Sequence, residues 1–184
     1  MSKPKILVWD LEFLASKNYR NELKIIPGYL ICFSCKEIGK RKITTLSKLT
    51  HPGRGPTDDK PLVKAIGEIL QSADCHVFHY GTKVDFRFIQ TKLFLYGFPV
   101  LPEPPVMIDT CKLVRSKLAL KSNSLASVAQ YLNLPEQKMP ITEEQWYKAF
   151  AGDIKTLKIV EKRCASDVRL TEAAYLKLRP LITD

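Results

Sequence analysis

The sequence predicts an α/β domain in which helices pack on a mixed sheet. Short apolar runs rich in β-forming residues alternate with stretches of helical periodicity, in the order three strands, helix, strand, helix, strand and then helices. A chain of 184 residues is long enough for one domain with a sizeable core. Because neither a repeat nor a linker is visible, we expect a single domain over residues 1–184.

The first three strands precede any helix. The apolar run from Lys5 to Trp9 predicts a buried first strand, which ends where the acidic residues begin. Residues 29–38 and 41–46 predict the next two strands, with a hairpin turn at Gly39 and Lys40.

Capping residues mark the ends of the helices that follow. Asp58 or Asp59 is predicted to cap a first helix that extends to about Ser72, and Thr142 with Gln145 forms a capping box for a later one. The other predicted elements are a strand at Cys75–His79, a helix at Val84–Tyr96 closed by Gly97, an extended segment at 99–105, a strand at Val106–Asp109, and helices at Thr110–Leu118, Ser124–Leu132 and 153–178.

The charge of the chain indicates a polyanionic partner. Lys and Arg number 29 against 19 Asp and Glu, so the formal net charge is +10. An excess of this size on one domain favours nucleic acid, and the alternative is a merely basic, soluble protein. Hydrophobic residues make up 45% of the chain, which argues against extensive disorder.

The sequence predicts no membrane contact and a reducing compartment. The longest apolar runs are too short to span a bilayer, and Asp10 follows the N-terminus too closely for a signal peptide. The five cysteines are odd in number, and Cys32 and Cys35 point to opposite faces of a strand, so buried thiols are favoured over a zinc pair. We therefore expect a cytoplasmic protein, in the host cytoplasm if the chain is phage-encoded.

Acidic side chains stand out at the ends of predicted elements. Asp10 and Glu12 are two residues apart and project to one face of the first strand, where a divalent cation or plain solvent exposure would relieve their repulsion. Asp85 opens a helix, where it also favours the helix dipole. Asp167 lies inside the last helix, four residues after Arg163, and this spacing alone predicts a surface ion pair.

Together these positions resemble a known pattern. A strand ends in Asp10-Leu11-Glu12, an Asp follows a strand in the segment from His79 to Asp85, and an Asp precedes small and apolar residues in the segment from Ser166 to Thr171. The chain thus resembles the DEDD, or DnaQ-like, 3′–5′ exonuclease superfamily, which has a ribonuclease H-like fold. It looks most like the stand-alone phage and bacterial members.

The resemblance implies a function and a site. It implies a sheet whose first three strands are antiparallel and whose later strands are parallel. It also implies metal-dependent 3′–5′ hydrolysis of DNA, with RNA as a possible substrate, and a DNA polymerase or another replication protein as a possible partner. The residues implied to be catalytic and to hold two divalent cations, Mg²⁺ or Mn²⁺, are Asp10, Glu12, Asp85 and Asp167.

Two positions depart from the family pattern. Where the family carries a Tyr or a His shortly before the last Asp, this chain has Arg163 and Lys162. Three interpretations stay open: Arg163 contacts the phosphate or stabilises transition-state charge, another residue such as Tyr80 supplies the missing role, or Arg163 pairs with Asp167 and displaces a metal ion. Arg cannot act as a general base, because its pKa is above about 12.

The second departure is Tyr80, where the family commonly has Asn. A Tyr could stack on a base, or it could simply be a packed aromatic at the end of the strand. We assign nucleic-acid binding to Tyr80, Lys83, Lys162 and Arg163, and interpret Asp109 as a helix cap. The alternative function is that of a catalytically impaired nuclease-like domain that binds nucleic acid or a replication partner.

Overall fold

The computed structural model describes residues 3–14, 28–102 and 106–182. Strands and helices follow the predicted order. The strands in these residues are β1 (Ile6–Leu14), β2 (Tyr29–Glu37), β3 (Ile43–Ser47), β4 (Cys75–Phe78) and β5 (Val106–Asp109). The helices are α1 (Lys60–Gln71), α2 (Asp85–Leu95), α3 (Thr110–Lys117), α4 (Leu125–Tyr131), α5 (Glu143–Phe150) and α6 (Ile154–Leu178), followed by a 3₁₀ turn at Arg179–Leu181.

The strands form a mixed sheet in the order β3-β2-β1-β4-β5. The first three strands are antiparallel, and β4 and β5 run parallel to β1. The predicted hairpin turn is present, with Gly39 at φ +85°, a left-handed conformation that favours glycine. The predicted fold class is therefore confirmed.

Helices cover both faces of the sheet. Leu7, Trp9 and Leu11 of β1 pack with α1 and α2 in the largest core cluster. Side chains alternate along a strand, so Val8 points to the other face, where it packs against α6. Asp10 and Glu12 follow Val8 at intervals of two residues, and the strand therefore directs them toward α6.

The first strand is longer than the sequence predicts. It continues from Trp9 to Leu14 because β2 pairs with it along its whole length, as far as Leu14 opposite Tyr29. A register shift follows Glu12. Asp10 and Glu12 thus lie within the paired strand rather than at its end, and with Glu12 only 6% exposed, two solvated acids are excluded.

Most capping predictions are confirmed. The Asp109 carboxylate accepts from the backbone N–H groups of α3, and Thr142 with Gln145 forms the expected capping box. At α1 the N-cap residue is Asp59, but its side chain forms no cap bond; Asp58 Oδ1 instead accepts from Lys60 N, the first residue of the helix, at 3.2 Å. Part of the predicted extended segment, residues 103–105, lies outside the described residues.

Asp59 instead ties α1 to two other elements. Its fully buried carboxylate accepts from Leu30 N at 2.8 Å, pairs with Lys92 Nζ at 2.8 Å and also accepts from the Tyr96 hydroxyl. Buried polar groups need such partners, since an unpaired one loses its hydration without compensation.

All five cysteines are buried and none forms a disulfide, as predicted. Cys32 and Cys35 belong to core clusters on opposite faces of the sheet. Within the described residues, no helix has both the length and the apolar character needed to cross a membrane.

We expect Asp59→Ala to lower the free energy of unfolding by about 3–5 kcal/mol, because it leaves the Lys92 ammonium buried and uncompensated. Asp58→Ala is the matched control and should cost about 1 kcal/mol, since it removes only exposed hydrogen bonds from the backbone N–H groups of Arg54 and Lys60. Urea denaturation measures both values. Adding Lys92→Met to Asp59→Ala should recover part of the loss, and an equal loss in both single variants would contradict this assignment.

Candidate active site

Three carboxylates from distant parts of the chain meet on the α6 face of the sheet. Asp10 and Glu12 come from β1 and Asp167 from α6, and each offers one oxygen that lies within 4.8 Å of the other two. The packing of α6 across β1, β2 and β4 produces this convergence. Oxygen ligands at such spacing suit a hard divalent cation such as Mg²⁺ or Mn²⁺.

Asp85 lies beside this group without belonging to it. It is the first residue of α2, it is 8% exposed, and its Oδ1 accepts from Leu11 N at 3.3 Å. Leu11 stands between the two acidic residues of β1, so this bond holds Asp85 next to the strand that carries them. Its charge also acts on Asp10.

Burial and mutual repulsion disfavour the ionised form of the carboxylates in the cluster. Burial raises the pKa of Asp10 well above its ordinary value, and the like charges of Glu12, Asp85 and Asp167 add to the effect. Burial likewise raises the pKa of Glu12 from 4.5 to about 7, although Arg163 opposes the shift. Burial raises the pKa of Asp85 from 3.8 to about 6.

Arg163 inserts its guanidinium into the cluster. Nε donates to Glu12 Oε1 at 2.8 Å, and the second terminal nitrogen lies 3.5 Å from Asp167 Oδ2. The other terminal nitrogen donates to the Met139 carbonyl at 3.1 Å, and the guanidinium carbon lies 5.7 Å from the centre of the Trp146 ring. The predicted i, i+4 pair with Asp167 is therefore present, but it is buried rather than at the surface.

Lys138 is a second cation in the cluster, and no sequence signal pointed to it. Its Nζ lies 3.1 Å from Asp167 Oδ2. The residue belongs to the irregular segment between α4 and α5, where no periodicity indicates which way a side chain points. Its only local signal is a positive charge, which many surface residues share.

Asp167 keeps one oxygen without a protein partner. Oδ1 is buried and has no hydrogen-bond partner among the described residues, while Oδ2 receives both cationic side chains. A buried, unpaired carboxylate oxygen is costly unless a ligand satisfies it. Because it lies in a group of three converging carboxylates, the donor set fits a divalent cation.

Cys164 also touches the cluster, one helical turn before Asp167. Its Sγ lies 3.4 Å from the Asp10 carbonyl oxygen and 3.7 Å from Asp10 Oδ2. Helical spacing from Asp167 could have revealed this neighbour, since residues three apart share a helix face.

The turn that precedes α2 is fixed by Asp109 rather than by the cluster. Asp109 Oδ1 accepts from Tyr80 N at 2.8 Å, and Oδ2 accepts from Thr82 N at 3.2 Å. These bonds hold Tyr80 at φ +64°, which is uncommon for a residue other than glycine. His79 is bonded to Thr110 Oγ1 and to the Asn123 carbonyl.

Three of the residues assigned to nucleic-acid binding are open to solvent, and the fourth is not. The Tyr80 residue is 40% exposed, and Lys83 and Lys162 are exposed. The Arg163 side chain is only 13% exposed and is engaged in the cluster. It differs in this respect from a surface contact to a phosphate backbone.

Comparison with known proteins agrees with this architecture. A family B DNA polymerase from the hyperthermophilic archaeon Pyrobaculum calidifontis is similar in structure, with a TM-score of 0.73 and 16% sequence identity. The likeness covers 97% of this chain and 25% of that polymerase, and at this identity it shows the fold alone. No curated protein matches the sequence.

A family model gives the stronger result. The model of the RNase_H superfamily matches residues 22–178, which include β2 to β5 and all six helices given above. The match begins after β1, the strand that carries Asp10 and Glu12. Proteins with this fold are generally nucleases and use divalent metal ions. Because the match spans most of the chain and the sheet has the corresponding mixed topology, the chain belongs to the RNase_H superfamily.

Proposed function

We propose that this protein is a metal-dependent 3′–5′ exonuclease that hydrolyses phosphodiester bonds of DNA, on single strands or at 3′ ends. The observation that carries the proposal is the group of carboxylates from Asp10, Glu12 and Asp167, together with the unpaired Oδ1 of Asp167. The family of the chain supports a nuclease. The 3′–5′ direction comes from the sequence motifs around the acidic residues.

Asp10, Glu12 and Asp167 would hold the metal, Mg²⁺ or Mn²⁺, and Asp85 would complete the acidic site from the start of α2. A bound divalent ion of this kind lowers the pKa of a water molecule and stabilises charge on the phosphate and the leaving oxygen. The raised pKa values of Glu12 and Asp85 mean that these side chains must lose protons when a cation binds.

Arg163 contributes charge rather than base catalysis. A guanidinium keeps its proton at any working pH, so it cannot accept one from water. Fixed between Glu12 and Asp167, it offsets negative charge that would otherwise repel a phosphodiester.

Substrate contact is proposed for the exposed residues outside the cluster. Lys83 lies in the turn before α2, and Lys162 precedes Arg163 on α6. Both would neutralise phosphate groups of a strand that enters the site. The exposed ring of Tyr80 offers a stacking surface, which tolerates any base.

The proposed setting is DNA replication. We infer that the chain acts as one nuclease domain in the cytoplasm, host cytoplasm if phage-encoded, and trims or proofreads 3′ ends alongside a DNA polymerase or another replication protein. The net charge of +10 supports a nucleic-acid substrate, with RNA as the alternative strand. The structural likeness to part of a family B DNA polymerase fits this setting.

A second candidate function follows from the ion pairs in the cluster. Arg163 and Lys138 already occupy carboxylate oxygens that a metal ion would need. If those pairs exclude metal altogether, the domain would bind nucleic acid or a replication partner without cleaving it.

Digestion of 5′-labelled single-stranded DNA distinguishes the two functions. With Mg²⁺ or Mn²⁺ we expect a ladder that shortens from the 3′ end and disappears with EDTA. Glu12→Ala should lower the rate at least about 100-fold, since even outer-shell partners of metal ligands cost about 10–100-fold. Glu136→Gln is the matched control, because its carboxylate pairs with Arg169 and Ser166 outside the cluster, and it should keep most of the activity. Intact DNA with retained binding would favour the second function.

We expect metal to stabilise the protein more at pH 8 than at pH 5. The pKa values of Glu12 and Asp85 are raised on folding, so their stabilising contribution is complete below about pH 4 and is lost as pH rises through about 6 to 7. A bound cation relieves that loss. Saturating Mn²⁺ should raise Tm by roughly 5–10 °C at pH 8 and by much less at pH 5. Differential scanning calorimetry tests this, with Asp10→Asn expected to abolish the effect. A shift that does not change with pH would contradict it.

Lys83→Gln and Lys162→Gln should each weaken binding of single-stranded DNA and reduce the slope of log K against log salt by about 0.7, the value for one phosphate contact. Lys64→Gln, an exposed change on α1 behind the sheet, should leave the slope unchanged. Fluorescence anisotropy in EDTA at several salt concentrations measures all of these slopes. Equal slopes for all variants would show that Lys83 and Lys162 do not contact phosphate groups of the bound strand.

A further inference from the structure

The acidic cluster contains its own cations, and this determines how many metal ions it can accept. We propose that the site binds one divalent cation tightly, and that the Arg163 guanidinium together with the Lys138 ammonium takes the place of a second. This inference rests on the proposed function for its premise that the carboxylates bind metal. It departs from the two ions that the sequence resemblance implies.

The argument begins with the carboxylate oxygens that are already engaged. Glu12 Oε1 accepts from Arg163 Nε, and Asp167 Oδ2 faces both Arg163 and Lys138. Asp167 Oδ1 has no partner among the described residues, although it is buried. Glu12 Oε1 and Asp167 Oδ2 are therefore occupied by protein cations, whereas Asp167 Oδ1 lacks a donor.

The charge balance of the cluster also leaves room for only one divalent ion. The carboxylates of Asp10, Glu12, Asp85 and Asp167 carry four negative charges when all are ionised. Arg163 and Lys138 together supply two positive charges, which is the charge of one Mg²⁺ ion. A single divalent cation then brings the cluster to neutrality, whereas a second would leave it with a surplus of two positive charges in a buried setting, which is unfavourable.

Arg163 is too firmly held to move aside for a second ion. Its nitrogens bond to Glu12, to the Met139 carbonyl and toward Asp167, and its guanidinium lies over the Trp146 ring. The side chain is 13% exposed. Releasing it would break these contacts at once and leave the Glu12 carboxylate buried without its partner.

The position of the single ion follows from the oxygens that remain. Asp10 and Asp167 both belong to the group whose ligand atoms lie within 4.8 Å of one another, and neither the Asp10 carboxylate nor Asp167 Oδ1 is paired with Arg163 or Lys138 in the described structure. We therefore assign the ion chiefly to Asp10 and Asp167, with Glu12 as the third carboxylate of the group and with its Oε1 holding Arg163 in position.

Counting bound Mn²⁺ by electron paramagnetic resonance tests the proposal without any substrate. The free-ion signal is followed as Mn²⁺ is added to the purified full chain at pH 8. The wild-type protein should bind one ion per chain, with any second ion at least about tenfold weaker because of the fixed positive charges. Two ions of similar affinity would overturn the proposal, and so would no bound ion at all, which would mean that the cations exclude metal.

Two arginine variants test whether Arg163 limits the number of bound Mn²⁺ ions. Arg163→Gln should bind a second Mn²⁺ at least about tenfold more tightly than the wild type does, because removing the guanidinium restores negative charge. Arg169→Gln is the matched control on the same helix, since Arg169 pairs with Glu136 outside the cluster at 2.5 Å, and its count should stay at one. An unchanged count in Arg163→Gln would overturn the proposal. If that variant fails to fold by circular dichroism, the wild-type count alone decides.

The same preparation separates this inference from the proposed function. If one ion binds but DNA is not digested, the proposed exonuclease function is wrong and the inference of a single ion stands. If two ions bind and DNA is digested, the proposed exonuclease function stands and the role given to Arg163 and Lys138 is wrong.

Discussion

Asp10 and Asp167 arrive at one place from the first strand and the last helix, where burial removes much of the water that would otherwise screen their charges. Burial and neighbouring charge raise the pKa of Asp10, so the cluster opposes its own ionisation. The packing of α6 across the sheet holds the groups together, and Lys36 with Glu172 ties the same helix to β2. The surrounding core thus supplies the free energy that keeps the carboxylates in place.

Much of this arrangement could be predicted because it follows from short-range rules. Asp10 and Glu12 share a face because strand side chains alternate, and Arg163 meets Asp167 because four residues make about one helical turn. The convergence of β1 with α6 does not follow from such rules. It was expected only because the motifs resemble those of a nuclease superfamily.

The remaining features depend on contacts between residues far apart in the chain. Glu12 and Arg163 are 151 residues apart, and their hydrogen bond depends on the final packing of α6. Lys138 comes from a segment without regular structure, so no period predicts its direction. The extra length of β1 depends on its pairing with β2, and Asp59 bonds to Lys92 and Leu30 rather than to its own helix. Local sequence patterns predict individual strands and helices well, but they do not predict which of these elements pack against one another.

The two tryptophans of the chain lie on opposite faces of the sheet, and only one of them contacts the acidic cluster. Trp9 precedes Asp10 in β1, and its buried indole donates to His76 Nδ1 at 3.1 Å. The ring of Trp146 lies against the guanidinium of Arg163. Trp146 therefore makes occupancy of the cluster visible in the intrinsic fluorescence of the unlabelled chain, whereas Trp9 reports on the core behind the sheet.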